Sequence, residues 1–87
     1  MATELLAVGS TAANSADLVV ASGSTVSVGM KGATSGEARV RILLKDDAGA
    51  YIDVSELTPF RPATAISAPG TYRFTRVAGA TCGVFSA

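Results

Sequence analysis

Between Val26 and Phe74, runs in which apolar and polar side chains alternate recur along the sequence. A period of two is what a half-buried β-strand demands, because successive side chains leave opposite faces of the pleat. In Thr25–Met30 the rule puts Val26, Val28 and Met30 on one face. In Ala38–Lys45, the longest such run, Val40, Ile42 and Leu44 face one way, and Arg39, Arg41, Leu43 and Lys45 the other. In Thr71–Val77, Tyr72 and Phe74 oppose Arg73 and Thr75. Helical spacing is hard to find, and Gly or Pro interrupts the chain about every eight to twelve residues, the rhythm of sandwiches and small barrels. These features predict an all-β protein: one small antiparallel β-sandwich domain over 1–87, with about seven short strands in an immunoglobulin-like or related Greek-key topology.

Register can be tested where two alternating runs meet. Between Ala38–Lys45 and Ala50–Ser55, a two-residue loop would set Leu44 against Asp53, and a four-residue loop would set Ile42 against Asp53. A three-residue loop, Asp47-Ala48-Gly49, pairs Leu44 with Ile52 and Ile42 with Val54, keeping apolar residues together. That loop class needs a left-handed residue at its end, which Gly49 supplies.

Leu5–Val8 and Leu18–Ala21 read as short strands. Gly9–Ala16 reads as a loop or extended edge crossing, its Gly9–Ser15 stretch a surface loop or an arm that orders on binding. Leu57–Pro62 cannot be a central strand, because Pro59 and Pro62 lack donors; it reads as a crossover returning Phe60 to the core. Ala63–Ile66 is a brief strand. Thr71–Val77 and Thr81–Ser86 read as a closing hairpin whose register stays open, since small residues make several pairings acceptable.

At 87 residues, core burial alone is expected to leave only about 3–5 kcal/mol of net stability. A lone cysteine, Cys82, excludes an internal disulfide, and the chain has no histidine, the commonest metal ligand and general base. With 48% hydrophobic residues, the remaining stabilising route is a homo-oligomer that buries apolar surface between copies. Seven basic and seven acidic side chains cancel, which argues against a nucleic-acid partner. No stretch approaches a membrane span. The opening Met1–Glu4 lacks a cationic region, and Leu5–Val8 is too short for a signal peptide, so a cytoplasmic origin is expected.

No catalytic, cofactor-binding or metal site emerges. Glu4, Asp17, Glu37 and Glu56 form no pattern, and a Ser or Thr nucleophile would lack a histidine base. Asp46-Asp47, with Asp53 nearby, falls short of a calcium loop; these are turn acids accepting local backbone hydrogen bonds. Cys82 beside Gly83 reads as a small buried hydrophobe. In Pro69-Gly70-Thr71-Tyr72 the spacing of Gly and Tyr matches a tyrosine corner, with Phe74 in the place of a sandwich cysteine; an amphipathic strand with an incidental Tyr is the other reading. If the fold is immunoglobulin-like, the Arg41 and Tyr72 strands are neighbours in one sheet, and Arg39, Arg41 and Arg73 form an outward cationic stripe beside Leu43 and Tyr51. Arg with Tyr suits a partner-binding surface, whereas an ordinary solvated face would pair the arginines with Asp53 and Glu56.

Three stretches, LLAVGSTAANSADLVV (Leu5–Val20), VRILLKDDAGAYIDVSELTP (Val40–Pro59) and SAPGTYRFTRVAGATCGVFS (Ser67–Ser86), together resemble the small accessory virion proteins of tailed bacteriophages. The resemblance implies a compact, non-enzymatic β-sandwich that decorates or cements a capsid, with the major capsid protein as partner and the virion as location, assembled in the host cytoplasm. The alternative is an immunoglobulin-like binding module, or a head–tail or tail component contacting another virion protein or a host surface. The resemblance assigns no functional residue.

Overall fold

The computed structural model describes residues 3–34 and 36–87. They form nine strands and no helix: β1 (Thr3–Gly9), β2 (Ala13–Asn14), β3 (Leu18–Val20), β4 (Val26–Lys31), β5 (Val40–Lys45), β6 (Tyr51–Leu57), β7 (Ala63–Ile66), β8 (Gly70–Arg76) and β9 (Cys82–Ser86). One sheet runs β1-β9-β4-β7. The other runs β8-β5-β6, with both β2 and β3 on the free side of β8. The expected all-β antiparallel sandwich is what forms. Its core lies between the sheets, and Val28, Val40, Ile42, Leu57, Phe74 and Val84 are among the residues most completely buried there.

The strand count exceeds seven partly because one edge is broken in two. β2 sets Ala13 and Asn14 against Arg76 and Thr75, and β3 sets Leu18–Val20 against Tyr72–Gly70. Between them Ser15 turns its side chain into the ladder. Its N–H donates to the Phe74 carbonyl (2.8 Å), and its Oγ accepts from the Phe74 N–H (2.9 Å). The hydroxyl takes the place of a backbone carbonyl, so pairing persists where regular strand geometry does not. Of the Gly9–Ser15 stretch, Gly9 ends β1 opposite Cys82 and Ala13–Ser15 is docked along β8.

With β2 and β3 taken as one interrupted strand, the order β1-β9-β4-β7 against β3-β8-β5-β6 is that of a jelly roll, built from two Greek keys. This is the related Greek-key alternative. Immunoglobulin order would place the last strand beside β8, and the expected Thr71–Val77/Thr81–Ser86 hairpin does not form. Instead β9 crosses to the opposite sheet, pairing with β1 on one side and β4 on the other. The crossing is anchored at the end of the sandwich, where Val77 N–H donates to Arg39 O and Gly79 N–H to Ser10 O, both at 3.0 Å.

Gly83 makes the new position possible. A Cβ there would lie 2.8 Å from Leu6 O and 3.0 Å from Val8 N, both backbone atoms of β1. Glycine in a strand often marks this kind of close backbone approach. Gly83→Ala is expected to force β1 away from β9 and to lower unfolding free energy by about 1–3 kcal/mol, measured by urea denaturation.

In the β5–β6 hairpin, Gly49 has φ +87° and closes the three-residue loop as expected. Asp46 Oδ1 accepts the N–H groups of Ala48 and Ala50, both at 2.9 Å, which is the turn role read for Asp46. Leu44 pairs with Ile52, but Ile42 pairs with Ser55 and not with Val54. A β-bulge at Val54 inserts one residue and exchanges the faces of everything beyond it. The exchange carries Leu57 to full burial and turns Glu56 outward; Ile52 and Val54 stay 48% exposed on an edge strand.

Phe60 is a second correction. It does not return to the core but stands 85% exposed. Thr58 and Arg61 exchange backbone hydrogen bonds (3.2 and 3.0 Å) across Pro59-Phe60. That tight turn leaves Phe60 at its tip, while Leu57 already fills the adjoining core. The Tyr72 hydroxyl donates to Ala68 O at 2.8 Å, the bond expected of the tyrosine-corner reading, and Phe74 beyond it is fully buried.

Candidate binding face

The outer face of the β3-β8-β5-β6 sheet gathers every residue nominated from the sequence. Antiparallel register sets Leu43 between Arg73 of β8 and Asp53 of β6, and sets Arg41 between Thr75 and Glu56. Lys45 lies opposite Tyr51. Arg39 joins the same face just before β5 through its ion pair with Glu56. Because β5 alternates strictly, burying Val40 and Ile42 obliges Arg41 and Leu43 to point outward.

The face is not a bare cationic stripe. Arg39 Nε meets Glu56 Oε2 at 2.9 Å, and Arg41 Nη1 meets Asp53 Oδ2 at 3.5 Å. The bulge at Val54 makes this possible by bringing Asp53 and Glu56 to one side of β6, although an unbroken strand would set them on opposite faces. Both pairs are about half exposed, so each is worth at most about 1 kcal/mol. Their effect is to orient the guanidinium groups.

The third arginine is held differently. The Arg73 guanidinium carbon lies 3.7 Å from the Tyr51 ring centroid, and its Nε is 3.8 Å from Asp17 Oδ1. The Tyr51 hydroxyl hydrogen-bonds the same carboxylate, at 2.9 and 3.0 Å from its two oxygens. Lys45 Nζ stands 5.8 Å from that ring. A cation stacked on an aromatic face and closed by a shared carboxylate ties the β2–β3 connection to β6 across the intervening strands. Tyr51 and Arg73 are therefore positioned in advance of any partner.

In the sequence Asp17 belongs to no pattern, and Lys45 is only an outward-facing residue of its strand. No local signal marks Asp17: it precedes a short apolar run, and it reaches the face only because β3 pairs with β8. At the β6 end lies an open groove of about 560 Å³ lined by Arg39, Arg61, Asp53 and Glu56 together with Val54, Ser55 and Thr58. Two cations against two carboxylates give it no net preference for an anion.

Cys82 is fully buried in β9. Burial pushes its thiol pKa up, opposed in part by the charge of Arg76 and a backbone hydrogen bond from Arg39. No group of three or more His, Cys, Asp and Glu side chains placed to hold a metal ion occurs among the described residues. No helix there is long and apolar enough to cross a membrane.

One solved structure shares this architecture over nearly the whole chain. The SPBc2 prophage-derived protein YomS superposes with a TM-score of 0.73 at 12% sequence identity, covering 99% of this chain and 88% of that one. The likeness is one of fold. No family model matches the sequence, and no curated protein does.

Proposed function

We propose that the protein is a non-enzymatic structural subunit of a phage particle, a decoration or cement protein that binds the outer capsid lattice through the β3-β8-β5-β6 face and acts as a homo-oligomer. One observation carries the reading: Arg39, Arg41, Leu43, Tyr51 and Arg73 converge on a single sheet face on which each arginine is held by a carboxylate or an aromatic ring. Preorganised Arg and Tyr side chains around an apolar residue have the composition of protein-binding hot spots. The half-exposed ion pairs can exchange a carboxylate of their own sheet for one on a capsid subunit at little net loss. A small domain offers a modest interface, and a symmetric oligomer multiplies it by avidity over a repeating lattice. The shared fold with a prophage-derived protein is consistent with a phage setting.

The test is co-sedimentation with capsids assembled from the major capsid protein encoded nearest the gene. Wild-type protein is expected to pellet with capsids. Arg41→Glu, alone and combined with Arg73→Glu, is expected to reduce the bound fraction at least roughly tenfold, with the β-sheet circular dichroism spectrum retained. Wild-type protein that ignores capsids would reject the lattice role, and unchanged binding by the folded double variant would reject the face.

A further inference from the structure

We infer that Lys45, Tyr51 and Arg73 form a socket for an acidic side chain of the capsid partner, which displaces Asp17 from the Tyr51 hydroxyl. The inference rests on the capsid reading and deepens it, naming the chemical group recognised and adding Lys45 to the residues that recognise it.

The cations of the face are not paired alike. Arg39 and Arg41 each hold a carboxylate of the same sheet, Glu56 and Asp53. Around the Tyr51 ring two cations share one carboxylate. The Arg73 guanidinium carbon lies 3.7 Å from the ring centroid and Lys45 Nζ 5.8 Å from it, while Asp17 is held by the phenol hydroxyl. Lys45 is exposed, and no ion pair involves it among the described residues. Asp46, the next residue, directs its Oδ1 to the N–H groups of Ala48 and Ala50 inside the turn. The ring is therefore flanked by one more positive charge than the carboxylate bound there, and the Lys45 ammonium is the surplus.

Arg73 shows that Asp17 serves the phenol at the guanidinium's expense. Arg73 Nε is shut off from solvent and has no hydrogen-bond partner. Asp17 Oδ1, 3.8 Å away, is beyond hydrogen-bond range, and both Asp17 oxygens lie at bonding distance from the Tyr51 hydroxyl. A buried donor left without an acceptor is costly. A shift of Asp17 by about 1 Å toward Nε satisfies it, and the Tyr51 hydroxyl is then free to donate elsewhere. An incoming carboxylate suits that exchange. It accepts from the phenol, and it pairs with the Lys45 ammonium, whose flexible stem can follow it. Asp17 passes to Arg73, so no charge or donor is left stranded. A cationic side chain at the same place would face Lys45 and Arg73 with no compensating contact. Leu43, set between Arg73 and Asp53 by register, offers apolar surface to the stem of the acidic residue.

Zero-length carbodiimide cross-linking of the capsid-bound protein provides the test, because it joins an amine only to a carboxylate in contact with it. The two lysines of the chain serve as probe and control: Lys45 is on the binding face, and Lys31 is on the other sheet, ion-paired with Glu4. An amide from Lys45 to an Asp or Glu of the capsid protein is expected, mapped by mass spectrometry, and none from Lys31. In co-sedimentation, Lys45→Glu is expected to weaken binding roughly tenfold and Lys31→Gln to leave it unchanged. Asp17→Asn is expected to tighten binding roughly threefold, since it removes the competing charge and keeps an acceptor for Arg73. Wild-type protein that does not pellet with capsids removes the lattice reading and the socket together. Pelleting that Arg41→Glu reduces, but that Lys45→Glu leaves intact with no Lys45 cross-link, overturns the socket alone. Weaker binding by a folded Asp17→Asn protein overturns the displacement, and a Lys45 cross-link to a second copy of this chain overturns the capsid protein as the source of the acid.

Discussion

Arg76→Ala is expected to remove about 3–5 kcal/mol of stability, a large share of the roughly 4–13 kcal/mol typical of an 87-residue domain. Arg76 is 5% exposed, and its guanidinium donates to three backbone carbonyls: Nε to Thr11 O (2.6 Å), Nη1 to Ala7 O (2.6 Å) and to Cys82 O (2.9 Å). These acceptors belong to the β1–β2 connection, to β1 and to β9, so one side chain of β8 fastens three segments of chain at an end of the sandwich. Hydrogen bonds to a charged donor are worth about 1.5–3 kcal/mol each, and removal also leaves carbonyls without their partner. Arg76→Lys is expected to recover only part of the loss, because an ammonium lacks the fixed fork that reaches separated acceptors.

Thermal denaturation by circular dichroism should show a Tm lower by more than about 10 °C for Arg76→Ala. Cys82 gives a local readout: its buried thiol should react faster with a labelling reagent in native conditions as the end of the sandwich opens. An unchanged Tm and labelling rate would show that the three bonds contribute no net stability.

The second large effect is expected at Phe74. Its side chain is completely buried between the sheets. Its backbone is held independently, by exchange of hydrogen bonds with Ser15 and by pairing with Ile42 of β5. Phe74→Ala therefore removes ring packing while the strand remains paired, and the expected loss is about 3–5 kcal/mol from transfer and cavity terms together. Urea denaturation should show a lower midpoint at an almost unchanged slope, since the surface exposed on unfolding changes little. Phe74→Leu, which refills part of the cavity, is expected to lose a fraction of that amount.

Both residues were legible in the sequence to different degrees. Phe74 follows from alternation in Thr71–Val77, and the inward Val28, Met30, Val40 and Ile42 from alternation in Thr25–Met30 and Ala38–Lys45. Arg76 shares the face of Tyr72 and Phe74 by the same period of two, yet composition argues for an exposed arginine. Only the arrival of β1, the β1–β2 connection and β9 at that point provides the carbonyls that permit burial.

The same division runs through the binding face. Strict alternation in β5 determined that Arg39, Arg41 and Leu43 point outward, and Gly49 determined the loop that sets Leu44 opposite Ile52. The bulge at Val54 lay beyond that logic. Val54 extends the apolar series of β6, but full burial of Leu57 outweighs half burial of Val54, so the strand changes face between them. Phe60 followed the same competition, left outside by a turn whose neighbouring core was already filled.

What the chain determined alone was local: which segments are strands, which faces are apolar, and one hairpin loop, because period and turn chemistry act between residues a few positions apart. The partnership of β9 with β1 and β4, the burial of Arg76 and the recruitment of Asp17 to Tyr51 and Arg73 were decided only in three dimensions. Each joins segments far apart in the sequence through backbone hydrogen bonds or charges, which every residue type of that class could offer and no single position advertises.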